Sequence, residues 1–253
     1  MDLTTGSVIV TGGASGLGWA TAERLSGQAA HIVLVDLATS AGAEAAEGLP
    51  NATFVAADVR DPEGVQRAVD AATATAPLRG LVHCAGRGGA VRLVNRDGTA
   101  GSLETYTDVV TTNLIGTFNV LRLAAVAMST NEPIDGERGA CVLTASVAAY
   151  EGQIGQIPYA SAKAGVVGMT IVAARDLAGK QIRVCTIAPG VFDTPILARL
   201  SQEVKDALGA AVPHPARLGQ ADEFAALADH ILANPMLNGE TIRLDGALRM
   251  APR

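Results

Sequence analysis

The chain predicts an α/β protein: one doubly wound parallel sheet of seven strands, helices on both faces, in a single domain. Three observations lead there. Short apolar runs alternate with helical periodicities along the whole length, as in successive βαβ units. Hydrophobic residues make up 49% of the chain but aromatics only 3%. The core is therefore built from Val, Ile, Leu and Ala, the composition of strands buried on both faces. A glycine-rich turn follows the first apolar run and opens a helix. A length of 253 residues suits one large unit, and no repeat, low-complexity tract or linker divides it.

Residues 7–11 (SVIVT) form the first strand, followed by Gly12, Ser15, Gly16, Leu17 and Gly18 in a G-x3-G-x-G pattern. Leu17, Ala20, Thr21 and Leu25 give the next helix an apolar face, and Gly27 ends it. Strand, glycine turn and helix N-terminus make a cradle for a dinucleotide pyrophosphate. Glycines admit close backbone approach, and free N–H groups and the helix dipole favour the anion. Residues 31–36 are the second strand, ending in Asp36, twenty-four residues after Gly12. A carboxylate ~20 residues beyond the glycines binds the adenosine ribose hydroxyls. It also repels a 2′-phosphate, and no basic residue lies between Gly12 and Gly18, so the pattern favours NAD over NADP.

Residues 53–57 are the third strand; Asp58 and Val59 follow, where an acid can meet the adenine amine. Asp61, Pro62 and Glu63 open a helix by capping and first-turn proline. Residues 81–84 are the fourth strand, closed by Ala85 and Gly86, where the backbone leaves room for a cofactor beside Cys84. The irregular stretch 87–101 carries Arg87, Arg92 and Arg96: a solvated loop, or a rim meeting an anionic ligand. Residues 102–129 read as one long helix. The Asn113 amide competes for backbone bonds: it is either an ordinary residue of the helix or marks a local distortion, with Asn113 holding a water. A polar connector, 131–139, leads to the fifth strand, 140–146, which ends at Ser146. Ligands bind beyond the carboxyl ends of such strands. A helix over 157–179, a sixth strand over 182–188 stopped by Pro189 and Gly190, and a proline-containing flap over 191–217 come next. A helix over 221–233 and a strand over 240–244 complete the alternation.

The chemistry centres on Tyr159 and Lys163, four residues apart and so on one helix face. A free phenol has a pKa of ~10 and is a poor base at neutral pH. A cation beside it favours the phenolate, and general acid–base catalysis works best near the operating pH. Ala160, Ala162, Ala164 and Gly165 leave little bulk around the pair, and Ser146 lies thirteen residues upstream.

Composition narrows the partners. The net charge is −6 with no basic run, which argues against nucleic acid or an anionic membrane surface. No uninterrupted apolar run approaches the ~20 residues of a membrane span, and residues 1–5 lack a signal-peptide pattern. Cys84, Cys141 and Cys185 are odd in number, widely spaced and set in or beside apolar runs. They read as thiols in a reducing compartment, which makes a cytoplasmic protein the expectation. The four histidines show no metal-ligand spacing, and no metal is expected.

Taken together, Gly12 to Gly18, Asp58, Cys84-Ala85-Gly86, Asn113, Ser146, Tyr159-x3-Lys163 and Pro189-Gly190 resemble the short-chain dehydrogenase/reductases across the whole chain. Four stretches, 117–123 (TFNVLRL), 144–153 (TASVAAYEGQ), 186–190 (TIAPG) and 238–246 (NGETIRLDG), are similar to the type 2 3-hydroxyacyl-CoA dehydrogenase branch of that family. The resemblance implies a Rossmann fold and NAD-linked interconversion of 3-hydroxyacyl-CoA and 3-oxoacyl-CoA, with short or 2-methyl-branched chains. It implies Tyr159 as the acid–base, Lys163 as the group that lowers its pKa and holds the nicotinamide ribose, and Ser146 as donor to the substrate oxygen. Asn113 would hold a water for proton exchange, and Gln153 and Gln156 would reach the acyl carbonyl. Further cofactor contacts are implied at Pro189, Gly190, Val191, Phe192 and Thr194, and a homotetramer pairing long helices. The chain departs from the family at His83, where asparagine is frequent, and in the 87–101 loop. Another secondary alcohol or ketone as substrate (a 3-oxoacyl-carrier protein, a steroid, a simple alcohol) and a non-catalytic cofactor-binding scaffold remain the alternatives.

Overall fold

The computed structural model describes residues 1–197 and 200–252. Seven strands, β1 (Ser7–Thr11), β2 (His31–Asp36), β3 (Ala52–Ala56), β4 (Leu78–His83), β5 (Gly139–Thr144), β6 (Ile182–Pro189) and β7 (Thr241–Leu244), form one sheet. Their order is β3-β2-β1-β4-β5-β6-β7, and every neighbouring pair is parallel. Side chains alternate across a strand, so each strand feeds two cores. Val8, Val10, Ile32, Leu34, Val82 and Val142 pack with helices α1 (Gly16–Ser26) and α8 (Ala221–Ala233). Ile9, Val33, Val35, Leu81, Cys141 and Leu143 pack on the other face with α3 (Pro62–Thr75), α5 (Gly116–Ser129) and α6 (Ile157–Leu177). Burial of each such Val, Leu or Ile stabilises by about 1.5–3 kcal/mol, which is why the strands are nearly continuous apolar runs.

The chain winds outward through β2 and β3, then returns to place β4 on the other side of β1. This reversal opens a crevice beyond the carboxyl ends of β1 and β4, where doubly wound sheets take ligands. The expected capping of α3 is present: the Asp61 side chain accepts from the Glu63 and Gly64 N–H groups, with Pro62 in the first turn.

The long helix expected over 102–129 is continuous but not uniform. α4 (Leu103–Val110) passes into a π-turn, Thr111–Ile115, and then into α5. Asn113 sits buried inside that turn, so of the two readings of it, the local distortion is the one the fold shows. This 27-residue helix and the 24-residue one over Ile157–Lys180 are long and apolar enough to cross a membrane by length and composition. Both lie along the sheet, burying Met128 and Val166 in its core.

Four readings are corrected. The short α2 (Gly42–Glu47) was invisible, because under two turns leave no periodicity to read. The buried face of α1 is Gly18, Thr21, Ala22 and Leu25; Leu17 and Ala20 lie at its edge. β5 stops at Thr144, so Ser146 lies just past the strand. The 191–217 segment, read as a flap with no helix named in it, contains α7 (Gln202–Ala210), capped by the Ser201 hydroxyl accepting from Val204 N–H; residues 198 and 199 of it lie outside the described residues.

Candidate active site

At the switch point lies a cleft of about 420 Å³. Gly12, Ser15, Gly16, Leu17, Gly18, Asp36, Asp58, Val59, Cys84, Ala85, Gly86 and Thr194 all line it, as expected from sequence. Its glycines are required by space as well as by conformation. A Cβ on Gly18 would lie 2.1 Å from the Gly12 carbonyl oxygen, and one on Gly12, whose φ is +65°, 2.9 Å from the Ala85 nitrogen. The result is a floor of bare backbone opening onto the N-terminus of α1, which fits the pyrophosphate of a dinucleotide. Asp36 stands at the end of β2, its carboxylate oxygens accepting from Ala14 N–H at 3.1 Å and Leu37 N–H at 2.8 Å.

Asp58 is more engaged than expected. Arg60 binds its carboxylate through Nε and Nη2 and through the backbone N–H, and this holds Asp58 below the usual carboxylate range. Arg60 also reaches Asp108, which pairs with Arg87. The cleft rim is thus an Asp58–Arg60–Asp108–Arg87 chain. Of the three loop arginines, only Arg87 lines the cleft; Arg92 and Arg96 point to solvent.

Pro189 and Gly190 are taken up elsewhere. Pro189 pairs with Leu244, and the Gly190 N–H donates to the Leu244 carbonyl, so neither lines this cleft. Val191 and Phe192 line a separate cavity of about 100 Å³ with Val212, Arg217 and Asp245. Gln153 and Gln156 do not extend into the cleft either. The Gln156 Oε1 accepts from the Gln153 N–H, and the Gln153 amide donates to the Ala251 carbonyl. Residues 249–252 pack beside them: the Ile154 N–H donates to the Pro252 carbonyl, and Arg243 and Arg249 pair with Glu151 and Asp245.

Ser146, Tyr159, Lys163 and Asn113 gather beside the cleft. Ser146 caps the 3-10 turn Val147–Ala149, its Oγ accepting from Ala148 N–H at 3.2 Å. Tyr159 and Lys163 share a face of α6, with the Lys163 Nζ 5.7 Å from the Tyr159 ring centre. Lys163 is only 3% exposed, and its Nζ donates to the Thr144 carbonyl at the end of β5 at 2.7 Å. Burial pushes its ammonium down to about 8. Asn113 clamps the turn after β4: its Oδ1 accepts from Arg87 N–H at 3.1 Å and its Nδ2 donates to Arg87 O at 2.8 Å. A Cβ on Gly86 would sit 2.6 Å from that Oδ1 and 3.6 Å from the Lys163 Nζ, so only glycine lets the cleft floor meet both groups. One electrostatic expectation is reversed. Burial pushes the Tyr159 phenol above its ordinary value, the Ser146 hydroxyl draws it part of the way back, and Lys163 is not among the causes.

Residues 7–205 match the family model described as short chain dehydrogenase. The chain belongs to the short-chain dehydrogenases. This dehydrogenase is 50% identical over 248 residues to 3-hydroxyacyl-CoA dehydrogenase type-2 of Drosophila melanogaster, covering 96% of this chain and 97% of that one. It is also 50% identical to the Homo sapiens protein of that name, covering 96% and 95%. A crystal structure of 3-hydroxyacyl-CoA dehydrogenase type-2 from Mycobacterium avium superposes with a TM-score of 0.96 at 47% identity, covering 99% of this chain and 98% of that one. The dehydrogenase is therefore an oxidoreductase, and its family's cofactor is a nicotinamide dinucleotide. Sequence reasoning missed Arg60, Thr112 and Pro195 as cleft-lining residues. Arg60 had a signal, an arginine two residues past a site aspartate; Thr112 and Pro195 are brought in only by tertiary contact.

Proposed function

We propose that this dehydrogenase interconverts a 3-hydroxyacyl-CoA and a 3-oxoacyl-CoA, using NAD and accepting short or 2-methyl-branched chains. The observation that carries the reading is the gathering of Ser146, Tyr159 and Lys163 beside a cleft whose rim holds Asp36. The acyl-CoA part is supported by the relatives' names.

Gly12, Gly16, Gly18 and the α1 N-terminus would hold the pyrophosphate, Asp36 the adenosine ribose, and Lys163 the nicotinamide ribose. Asp36 favours NAD, because a 2′-phosphate would stand against its carboxylate. Bound there, oxidised nicotinamide supplies the hydride acceptor and a positive charge beside the phenol. Tyr159 takes the hydroxyl proton in oxidation and returns it in reduction. Its raised pKa keeps it protonated at neutral pH, the form that reduction consumes. Ser146 donates to the substrate oxygen, which carries charge in the transition state. Lys163, largely an ammonium at neutral pH, keeps the phenolate from being isolated among apolar groups. By the family resemblance, Asn113 would hold a water through which Lys163 exchanges protons. The apolar outer faces of α5 and α6, with Phe118 53%, Val126 66% and Val172 63% exposed, support a homotetramer built on paired long helices.

The test is a steady-state screen of acetoacetyl-CoA, a 2-methyl-branched homologue and a steroid ketone, each with NADH and NADPH. Acetoacetyl-CoA with NADH should be turned over fastest. Tyr159→Phe should lower kcat by at least about a hundredfold while NADH binding stays within about twofold. Comparable turnover in that variant, or a preference for NADPH, refutes the reading.

A further inference from the structure

His83 is the residue at which this chain departs from the family's frequent asparagine, and the mechanism above makes no use of it. It ends β4 and is 1% exposed, between Thr11 at 1% and Thr117 at 0%. Its Nδ1 lies 2.8 Å from the Thr11 hydroxyl and its Nε2 lies 2.9 Å from the Thr117 hydroxyl. The protons on this chain can be assigned by elimination. The Thr117 hydroxyl has one proton, and its Oγ1 lies 2.7 Å from the Asn113 carbonyl oxygen, which can only accept. That proton is spent, so the contact at 2.9 Å requires an N–H on Nε2. In a neutral imidazole Nδ1 is then an acceptor, and the Thr11 hydroxyl must donate to it. The Thr11 oxygen in turn accepts from the Ala85 N–H at 3.2 Å. Every donor points the same way, from Ala85 through Thr11, His83 and Thr117 to Asn113.

We propose that His83 is a positioning residue of this dehydrogenase: as the neutral Nε2–H tautomer, it ties the floor of the cofactor cleft to the Asn113 π-turn through one unidirectional chain of hydrogen bonds. At one end, Ala85 lines the cleft and abuts Gly12, so the Thr11 hydroxyl sets where two backbones meet beneath the cofactor. At the other end, the Thr117 hydroxyl takes the Asn113 carbonyl, holding the turn whose side chain clamps Arg87. Burial and the nearby Lys163 ammonium push the imidazole down to about 3, so the ring adds no second cation beside Lys163. Buried chains of this kind polarise one another, and cutting any link leaves a desolvated group without a partner. The effect on cofactor affinity rests on the dinucleotide reading of the cleft; the tautomer does not.

Two measurements test it. In protein carrying 15N-labelled histidine and no nucleotide, the His83 ring should show a proton on Nε2 alone from about pH 5 to about pH 8. A proton on Nδ1, or a titration near the ordinary value, overturns the assignment. Second, NADH dissociation constants are measured by nucleotide fluorescence for Thr11→Val, Thr117→Val and the double variant. The two threonines are joined through His83, so the double loss should depart from the product of the single losses by about fivefold or more. In a His83→Leu background that departure should vanish. Thr11→Ser and Thr117→Ser, which keep the hydroxyl, should bind within about twofold of the parent. Losses that simply multiply, in a protein that melts normally, mean that His83 only fills space. If the parent protein shows the Nε2–H ring but no affinity for NADH, the cofactor reading fails, and the same threonine cycle is read in melting temperature.

Discussion

Lys163 shows how one side chain sets stability against function. Its ammonium lies in the interior, tied to the Thr144 carbonyl, and its pKa falls from an ordinary value near 10.4 to about 8. At neutral pH the group is charged in both folded and unfolded states, so the whole cost of burying it is present, on the order of 3 kcal/mol. Between about pH 8 and about pH 10.4 the unfolded chain binds more protons than the folded one, and stability rises with pH through that window. Lys163→Met should therefore unfold at a higher denaturant concentration than the parent at pH 7, with the gap closing as the pH approaches 10.4. Its kcat should fall by at least about a hundredfold. A Met variant no more stable than the parent at pH 7 would show that polar contacts fully offset the burial. In the proposed reading, cofactor choice turns on Asp36. Asp36→Ala combined with Leu37→Arg should reverse the NADH preference, read as the ratio of kcat/KM for NADH and NADPH, by at least about tenfold. An unchanged ratio means the adenosine ribose lies elsewhere.

At the scale of elements, two interruptions of regular structure make the site. The first is the turn between β1 and α1, where Gly18 lies so close to the Gly12 carbonyl that no Cβ fits. The neighbouring atoms are backbone, so strain cannot be relieved by a side-chain rotation. Gly18→Ala should weaken NADH binding at least tenfold and lower the melting temperature, because the helix must move away from the turn proposed to hold the phosphates. Retained affinity, measured by titration calorimetry, would mean the phosphates do not use this turn. The second is the π-turn at Asn113, which breaks the long helix where its side chain reaches Arg87. Its existence could be read from the misfit of an asparagine in an apolar helix. Its partner could not, because Arg87 is twenty-six residues away and only the packing of α5 against β4 brings them together.

For the whole molecule, the exposed apolar stripe over α5 and α6 is the outstanding surface feature. Phe118 and Val126 on α5 and Val172 on α6 each leave more than half their surface to solvent. A pair of carboxylates there would be stranded in any helix-to-helix interface. If the proposed homotetramer forms through this face, Phe118→Asp with Val126→Asp should break it into smaller species by light scattering, with little change in the far-ultraviolet circular dichroism of the subunit. A parent that is already monomeric, or a double variant of the parental oligomeric mass, refutes a tetramer built on this face.

Much of this was legible in the chain alone, for physical reasons. Strands buried on both faces must be apolar runs, a phosphate cradle must be glycine, and a Tyr–Lys pair four apart must share a helix face. So the sheet, the glycine-floored cleft and the Tyr159–Lys163 pairing on one helix face follow from local chemistry. What tertiary structure decided are properties of encounter: Arg60 spent on Asp58, Gln153 and Gln156 turned to each other and the chain's end, and α2 and α7 formed where periodicity was too short to read. The same holds for the phenol's pKa. A neighbouring cation can be counted in the sequence, but Lys163 is not among the causes that set this phenol's pKa; the desolvation that raises it arises only from the packing around Tyr159.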